Sequence, residues 1–328
     1  HGRADLLYDD NDNDAPLEAA FVQDTDWGTS PTMYARKLMA ERLPHRVGKT
    51  DAYRIPQDQY ESTLFCIAPL QTLRGFAADR GMLAVFRTSA GRRQLKDVPA
   101  QFVQHLFLRG PGGSGNSFFM TQVALPVYEH FFPGCTRGFA AQNSAARLIG
   151  GSTFHFMAGL TRRQTLTRKR PSRQPQGKML LRWNHLVLAM IDEASVADPQ
   201  LLAVLNARAN WGRHDSRRLD PSTLADTTFG NILAQICMGD FMQLNPVRTH
   251  SLLQTFLRGT DMHMPHERIE KERLDTEGWD IFDKLSEFVI LFHGCHRFAP
   301  GDLLPELLKI MRTPGGQKLP PTLQEQIE

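Results

Sequence analysis

Apolar residues keep no sustained helical or strand period up to about residue 59. From Tyr60 onward they alternate between short compact runs and longer stretches, with glycine, proline or a small polar residue at each junction. Short buried runs alternating with helical ones are the pattern of an α/β fold. Four runs have the length and apolarity of buried strands: residues 105–108, 185–191, 232–238 and 288–292. A further segment, 118–131, is long enough for a helix. Each strand run ends on polar sequence: Gly110-Pro-Gly-Gly-Ser-Gly-Asn-Ser117, Asp192-Glu193-Ala-Ser195, Gly239-Asp240-Phe-Met-Gln243-Leu-Asn-Pro246-Val247 and His296-Arg297. In an open parallel sheet, ligands bind beyond the carboxyl ends of the strands, so these four sequences are expected to meet at one crevice.

Composition narrows the setting without choosing a function. With 328 residues, 41% of them apolar, the chain can bury a sizeable core. Cys66, Cys135, Cys237 and Cys295 lack CxxC or CxxH spacing, so neither a zinc site nor a disulfide framework is expected, and a reducing intracellular setting is. No apolar run reaches the roughly 18 residues that span a bilayer, and no signal peptide opens the chain, so a soluble protein without a membrane partner is expected. The formal net charge of +3 is unevenly spread. Asp5, Asp9, Asp10, Asp12, Asp14, Glu18, Asp24 and Asp26 face only Arg3 in the first 26 residues, which read as disordered. The expected organisation is an acidic and polar tail at 1–59, a nucleotide-binding domain at 60–313 and a short tail at 314–328.

Between Arg162 and Lys178 the balance inverts, with Arg162, Arg163, Arg168, Lys169, Arg170, Arg173 and Lys178 and no acid among them. The run suits a phosphate backbone and equally a solvated insertion loop; its core, Arg168, Lys169 and Arg170, also reads as a nuclear address.

Gly110 and Gly115 stand at the spacing of a phosphate-binding loop, G-x-x-x-x-G-K-[ST]. In such a loop backbone N–H groups and a helix N-terminus cradle phosphates, lysine reaches the β- and γ-phosphates and the hydroxyl binds magnesium. Gly112, Gly113 and Ser114 fill the turn and Ser117 supplies the hydroxyl, but Asn116 replaces the lysine. A neutral amide can donate hydrogen bonds and cannot neutralise developing charge. Alone, such a turn reads equally as an ordinary strand-to-helix connection. Asp192 and Glu193 end the second run, where Asp192 would hold Mg²⁺ and Glu193 would orient or deprotonate the attacking water; the alternative is that the pair caps a helix beginning near Asp198.

The segment from Gly239 to Val247 resembles the G-D-x-x-Q-L-x-P-V motif of superfamily 1 DNA helicases of the RecD and petite integration frequency (Pif) type, including those of Helitron transposable elements. The resemblance implies that Gln243 contacts the γ-phosphate. Ala140 to Gly150 and on to His155 looks like that family's motif Ia, which implies contacts from Asn143, Ser144, Thr153 and His155 to single-stranded DNA; by itself His155 reads as a packing histidine. The segment from Trp279 to Arg312 resembles the region around motif IV, which places Arg297 at the γ-phosphate, although Arg297 alone could be a surface residue. The stretch Pro69 to Phe76 resembles the family's adenine-reading segment, with Gln71 as its glutamine.

The resemblance implies a RecA-like P-loop domain with a mainly parallel sheet and helices on both faces. It also implies ATP and Mg²⁺ as ligands, single-stranded DNA as partner, and a nuclear or mitochondrial setting. ATP-dependent unwinding in repair, recombination, telomere maintenance or transposition is the family's activity. A chain ending at Glu328 would hold only the first motor domain, so this one is expected to be a truncated helicase with a degenerate phosphate loop. The alternatives are a nucleotide-silent remnant that binds single strands and a purely structural domain.

Overall fold

The computed structural model describes residues 30–42, 45–46, 53–54, 57–79, 100–160, 179–213, 227–241, 252, 266–292, 307 and 310. A six-stranded sheet organises them. Its strands are β3 (Gln104–Arg109), β4 (Thr136–Ala140), β5 (Ser152–Thr153), β6 (Leu188–Asp192), β7 (Ala234–Gly239) and β8 (Val289–Leu291), in the order β5-β4-β6-β7-β3-β8. Every pairing in it is parallel. A separate antiparallel pair, β1 (His45–Arg46) and β2 (Tyr53–Arg54), precedes it.

Both faces of the sheet are covered, which explains why its central strands read as largely apolar runs. Successive side chains of a strand point to opposite faces. Leu106 and Leu108 of β3, Leu188 and Met190 of β6, and Ile236 and Met238 of β7 join one core, with helices α1 (Pro31–Arg42), α2 (Gln57–Asp79) and α3 (116–131). Phe107, Ala189, Ile191 and Cys237, from the alternate positions, join a second core with α5 (Phe154–Met157), α6 (Pro199–Arg213) and α7 (His266–Leu285). The expected α/β domain with helices on both faces is present.

Helix α3 follows the glycine-rich turn and has three parts: Asn116–Phe119, a π-helical turn at Met120–Ala124, and Leu125–Phe131. Pro126 accounts for the widened turn. It has no N–H to donate and its ring would clash with the carbonyl one turn earlier, so the backbone shifts register rather than kinking sharply. One turn earlier, the Thr121 hydroxyl donates back to the Ser117 carbonyl at 2.9 Å.

Three differences from the sequence pattern have physical causes. Residues 30–59 are not featureless: α1 buries Ala35, Leu38 and Met39 against the first core, and α2 begins at Gln57. Three apolar contact positions among polar neighbours are too few for a period to stand out. Strands β4 and β5 were absent from the pattern because β5 is two residues long and β4 carries Thr136, Arg137 and Gly138. The strand expected at 185–191 starts only at Leu188; His185 and Leu186 form the turn before it, where Leu186 N donates to the Trp183 carbonyl. The acidic residues 1–26 and the tail 314–328 lie outside the described residues.

Candidate functional site

Because all six strands run the same way, their carboxyl ends share one edge, and the register aligns them closely. Arg109 pairs with Gly239 on one side and with Leu291 on the other, while Ala140 pairs with Asp192. The turn at 110–117, the Asp192–Glu193 pair, Gly239–Asp240 and Phe292 therefore come together, as do the residues that follow Ala140.

Backbone geometry shapes the glycine-rich turn. Ser114 N donates to the Pro111 carbonyl at 3.0 Å, and Gly113 and Gly115 sit at φ 91° and 93°, where a side chain is disfavoured. Gly115 caps helix α3 from this left-handed position, and Phe119 N returns to its carbonyl at 2.8 Å. Gly110 is needed for another reason: an added Cβ would lie 2.8 Å from Cβ of Phe292 and collide with the Ser114 hydroxyl. Gly112 stays half-buried at the crest of the turn. Ser114, itself buried, donates its hydroxyl to Oδ1 of Asn116 at 3.2 Å. With its oxygen engaged, Asn116 presents its amide nitrogen as the remaining donor.

Ser117 Oγ donates to Oδ2 of Asp192 at 3.3 Å, and Glu193 N donates to the other carboxylate oxygen at 2.9 Å. Asp192 is 5% exposed. Burial pushes its carboxyl above the usual range, while the hydrogen bonds from Glu193 and Ser117 oppose that rise. Glu193 occupies the left-handed region at φ 53° and ψ 43°, an arrangement costing about 1–2 kcal/mol for a residue with a Cβ. Such strain concentrates at functional turns. The alternative role for the acid pair, capping the next helix, belongs to a different residue: Asp198 Oδ1 accepts from Gln200 N at 2.9 Å at the start of α6.

Ser195 and Asp240 complete the frame and were not singled out by the sequence reading. Ser195, 4% exposed, accepts at Oγ from Asp240 N at 3.2 Å. A Cβ on Gly239 would stand 2.9 Å from Ser195 N, so β7 and the turn after β6 approach as closely as glycine allows. A small hydroxyl two residues after the acid pair was the available signal, together with the Gly-Asp dipeptide that follows β7.

The DNA candidates lie further along the same edge. Asn143 and Ser144 are exposed on the first turn of α4 (Asn143–Leu148), just beyond β4. Thr153 ends β5, and its hydroxyl caps α5 by accepting from Phe156 N at 3.2 Å; His155 is half-buried on the same turn. Close packing holds this corner together, since a side chain on Gly151 would run into the Gly138 carbonyl. Gln71 lies on another element. It is exposed on α2, and its side-chain oxygen accepts from Ser30 Oγ at 3.2 Å, a contact toward the start of α1 and not toward the glycine-rich turn. Gln243, Arg297, Arg168, Lys169 and Arg170 lie outside the described residues.

Phosphates suit the turn, which offers glycine backbone, an N-terminal helix end and no acid of its own. Ser117 and Asp192 offer paired oxygen donors of the kind a hard divalent cation takes. No helix among the described residues is long and apolar enough to cross a membrane.

Comparison with known proteins adds a family. A family model described as PIF1-like helicase matches residues 91–259. The ATP-dependent DNA helicase PIF5 of Trypanosoma brucei brucei is 34% identical over 149 residues, 44% of this chain and 14% of that protein. Human ATP-dependent DNA helicase PIF1 is 30% identical over 146 residues, covering 44% of this chain and 20% of its own length. The match thus spans a fifth or less of these relatives. Among solved structures, the Pif1 helicase from Candida albicans aligns over 72% of this chain and 46% of its own, with 22% identity and a TM-score of 0.46.

Proposed function

This chain belongs to the PIF1-like helicase family, and from that premise we propose that residues 60–313 form the nucleotide-binding motor domain of an ATP-dependent DNA helicase. The observation that carries the reading is the hydrogen bond between Ser117 and Asp192, 75 positions apart, which joins the glycine-rich turn to the acid at the end of β6. A strand-to-helix turn without a ligand has no need of a buried carboxylate beside its hydroxyl.

In this reading the backbone of Gly110, Gly112, Gly113, Ser114 and Gly115 receives the phosphates of ATP, with the donor face of Asn116 beside them. Ser117 and Asp192 hold Mg²⁺, which when bound neutralises phosphate charge. Glu193 orients or deprotonates the attacking water, Gln243 and Arg297 reach the γ-phosphate, and Gln71 reads the adenine. Asn143, Ser144, Thr153, His155 and the basic trio Arg168, Lys169 and Arg170 contact single-stranded DNA. The neutral Asn116 makes this a degenerate phosphate loop that turns over slowly. The setting is the nucleus, or alternatively the mitochondrion, and the process is repair, recombination, telomere maintenance or transposition.

Asn116 also favours a second reading, in which the domain binds single strands without using nucleotide. Calorimetric titration of the purified chain with ATP, with and without Mg²⁺, separates the two. Metal-dependent binding that disappears in Asp192→Asn supports the motor reading. Salt-sensitive binding to single strands without metal-dependent nucleotide binding overturns it in favour of the second, and failure to bind either ligand leaves a structural domain.

A further inference from the structure

One aromatic–cation pair beside the DNA candidates has no part in the functions assigned above. The guanidinium carbon of Arg182 stands 3.8 Å over the ring centroid of Phe156, a separation that sets the guanidinium against the face of the ring. Arg182 is also tied down from the side, because Nη1 donates to the Phe156 backbone carbonyl. Phe156 is the residue after His155, and its backbone N–H is the one that Thr153 caps. Both members of the pair are half-buried, so neither is sealed in the core. Phe156 packs against the second core, and beside the pair Leu181 is 55% exposed and Gly159 is exposed, with the site of a Gly159 Cβ 3.8 Å from Arg182 Nη1.

Arginine needs no aromatic partner to satisfy its charge, and a purely structural latch would be served by the hydrogen bond to the carbonyl alone. A flat cation stacked on an aromatic face and fixed by a backbone bond presents a planar, positively charged surface whose conformational freedom is already spent. Nucleic-acid bases stack on such guanidinium planes and aromatic rings, with little regard to base identity. Cation–π attraction holds the pair itself together.

We propose that Phe156 and Arg182 form a stacking platform for a base of single-stranded DNA, continuing the strand path from Asn143 and Ser144 past Thr153 and His155. The inference rests on the DNA-binding part of the proposed function and goes beyond it by naming a contact to a base, where the other candidates contact the strand through polar groups.

Fluorescence anisotropy with the full 328-residue chain tests it, using an oligothymidine and an abasic oligonucleotide of the same length across a salt series. The parent should prefer the oligothymidine. Arg182→Lys keeps the charge and loses the plane, and Phe156→Leu keeps the apolar volume and loses the ring. Each should lower affinity for oligothymidine on the order of tenfold, the scale of one lost base stack, while leaving abasic binding and the salt slope nearly unchanged. Thermal melts of both variants confirm that they remain folded. A parent that binds both oligonucleotides equally, or folded variants that keep the parent's base preference, overturns the platform and leaves DNA binding standing. A fall in melting temperature without a change in base preference identifies a latch and also overturns it. If the parent binds neither oligonucleotide, the DNA-binding reading fails and the platform fails with it.

Discussion

Ser117 Oγ and Asp192 Oδ2 meet at 3.3 Å across the boundary between the glycine-rich turn and β6. Strand β7 lies between β6 and β3 in the sheet, so the contact bridges an intervening strand at the carboxyl edge. Helix α3, starting at the turn, leans its first residues toward the acid. Two oxygen donors from distant parts of the chain are thereby held side by side, as the proposed cation site requires.

The raised pKa of Asp192 gives this contact a pH signature. An acid whose folded value is raised binds its proton more tightly folded than unfolded. Its protonation therefore stabilises the fold fully below the ordinary carboxylate value of about 3.9, and that contribution is lost as pH rises through the folded value. At neutral pH the buried carboxylate is a cost to the fold, one that the proposed cation would offset. Asp192→Asn is expected to raise the thermal midpoint of the nucleotide-free chain at neutral pH, with a gain that shrinks toward about pH 4. The same substitution should remove the Mg²⁺ dependence of nucleotide binding. Scanning calorimetry over a pH series checks the first part, and an unchanged midpoint at neutral pH would show that the carboxylate is not strained by burial.

Glu193 offers a trade of stability against chemistry. Its left-handed backbone costs about 1–2 kcal/mol, of which replacement by glycine recovers part, because the freer unfolded chain takes back roughly 0.5–1 kcal/mol. Glu193→Gly should stabilise the fold by up to about 1 kcal/mol in urea titration while abolishing whatever hydrolysis the parent shows. Destabilisation instead would mean that the glutamate side chain holds the turn.

Much of the sheet was legible because its central strands are buried on both faces, which makes β3, β6 and β7 largely apolar, with Gln235 the polar exception inside β7. The glycine and acid motifs could likewise be read from spacing. Their meeting at one crevice followed from the rule that parallel strands end on one edge, but the direct hydrogen bond between Ser117 and Asp192 did not, because nothing local in either residue specifies it. Glutamate has no preference for positive φ, so the strained turn at Glu193 left no mark in the pattern. The helix cap at Asp198 was hidden by the nearby acid pair, which competed for the same role. The contact of Gln71 with Ser30 was equally silent in the sequence, since the two lie 41 positions apart and no local pattern pairs them.

Arg213 makes a prediction far from the chemistry. It is 1% exposed at the end of α6, where Nε donates to the Gly230 carbonyl at 2.7 Å and Nη1 donates to those of Trp183 at 3.1 Å and Leu186 at 2.7 Å. Asn206 and Asn210, on the same helix, hold the backbone of Phe229 and Thr227 in the turn before β7. That turn has three consecutive residues at positive φ, Phe229, Gly230 and Asn231, and cannot hold its shape alone. Arg213→Met takes the guanidinium from the Gly230 and Leu186 carbonyls and leaves that of Trp183 with the Leu186 N–H alone, and a loss of roughly 3 kcal/mol is expected in urea titration. Nucleotide and DNA affinity of the molecules that remain folded should be unchanged. A loss under about 1 kcal/mol would mean that water replaces the guanidinium there.

Asn116 decides whether the glycine-rich turn is a phosphate cradle. Its amide oxygen is taken by the Ser114 hydroxyl at 3.2 Å, so the side chain lies along the turn with its nitrogen as donor. Losing one charged or oxyanion-stabilising donor typically costs about 10²–10³ in rate, so hydrolysis by the parent should be barely detectable. Binding should suffer less, because the glycine backbone, the helix end, Ser117 and Asp192 all remain. Asn116→Lys supplies the positive charge in the one place where the turn lacks it, and at the same time frees the Ser114 hydroxyl to meet a phosphate oxygen. Mg-ATP binding should therefore strengthen on the order of tenfold or more, as a charge-assisted contact replaces a neutral one. Calorimetry of the two forms measures the difference directly, with Asn116→Gln as the control for side-chain length without charge. If lysine binds Mg-ATP no better than asparagine while the fold is intact, phosphates do not occupy this turn, and the nucleotide site has to be abandoned whatever the neighbouring carboxylates suggest.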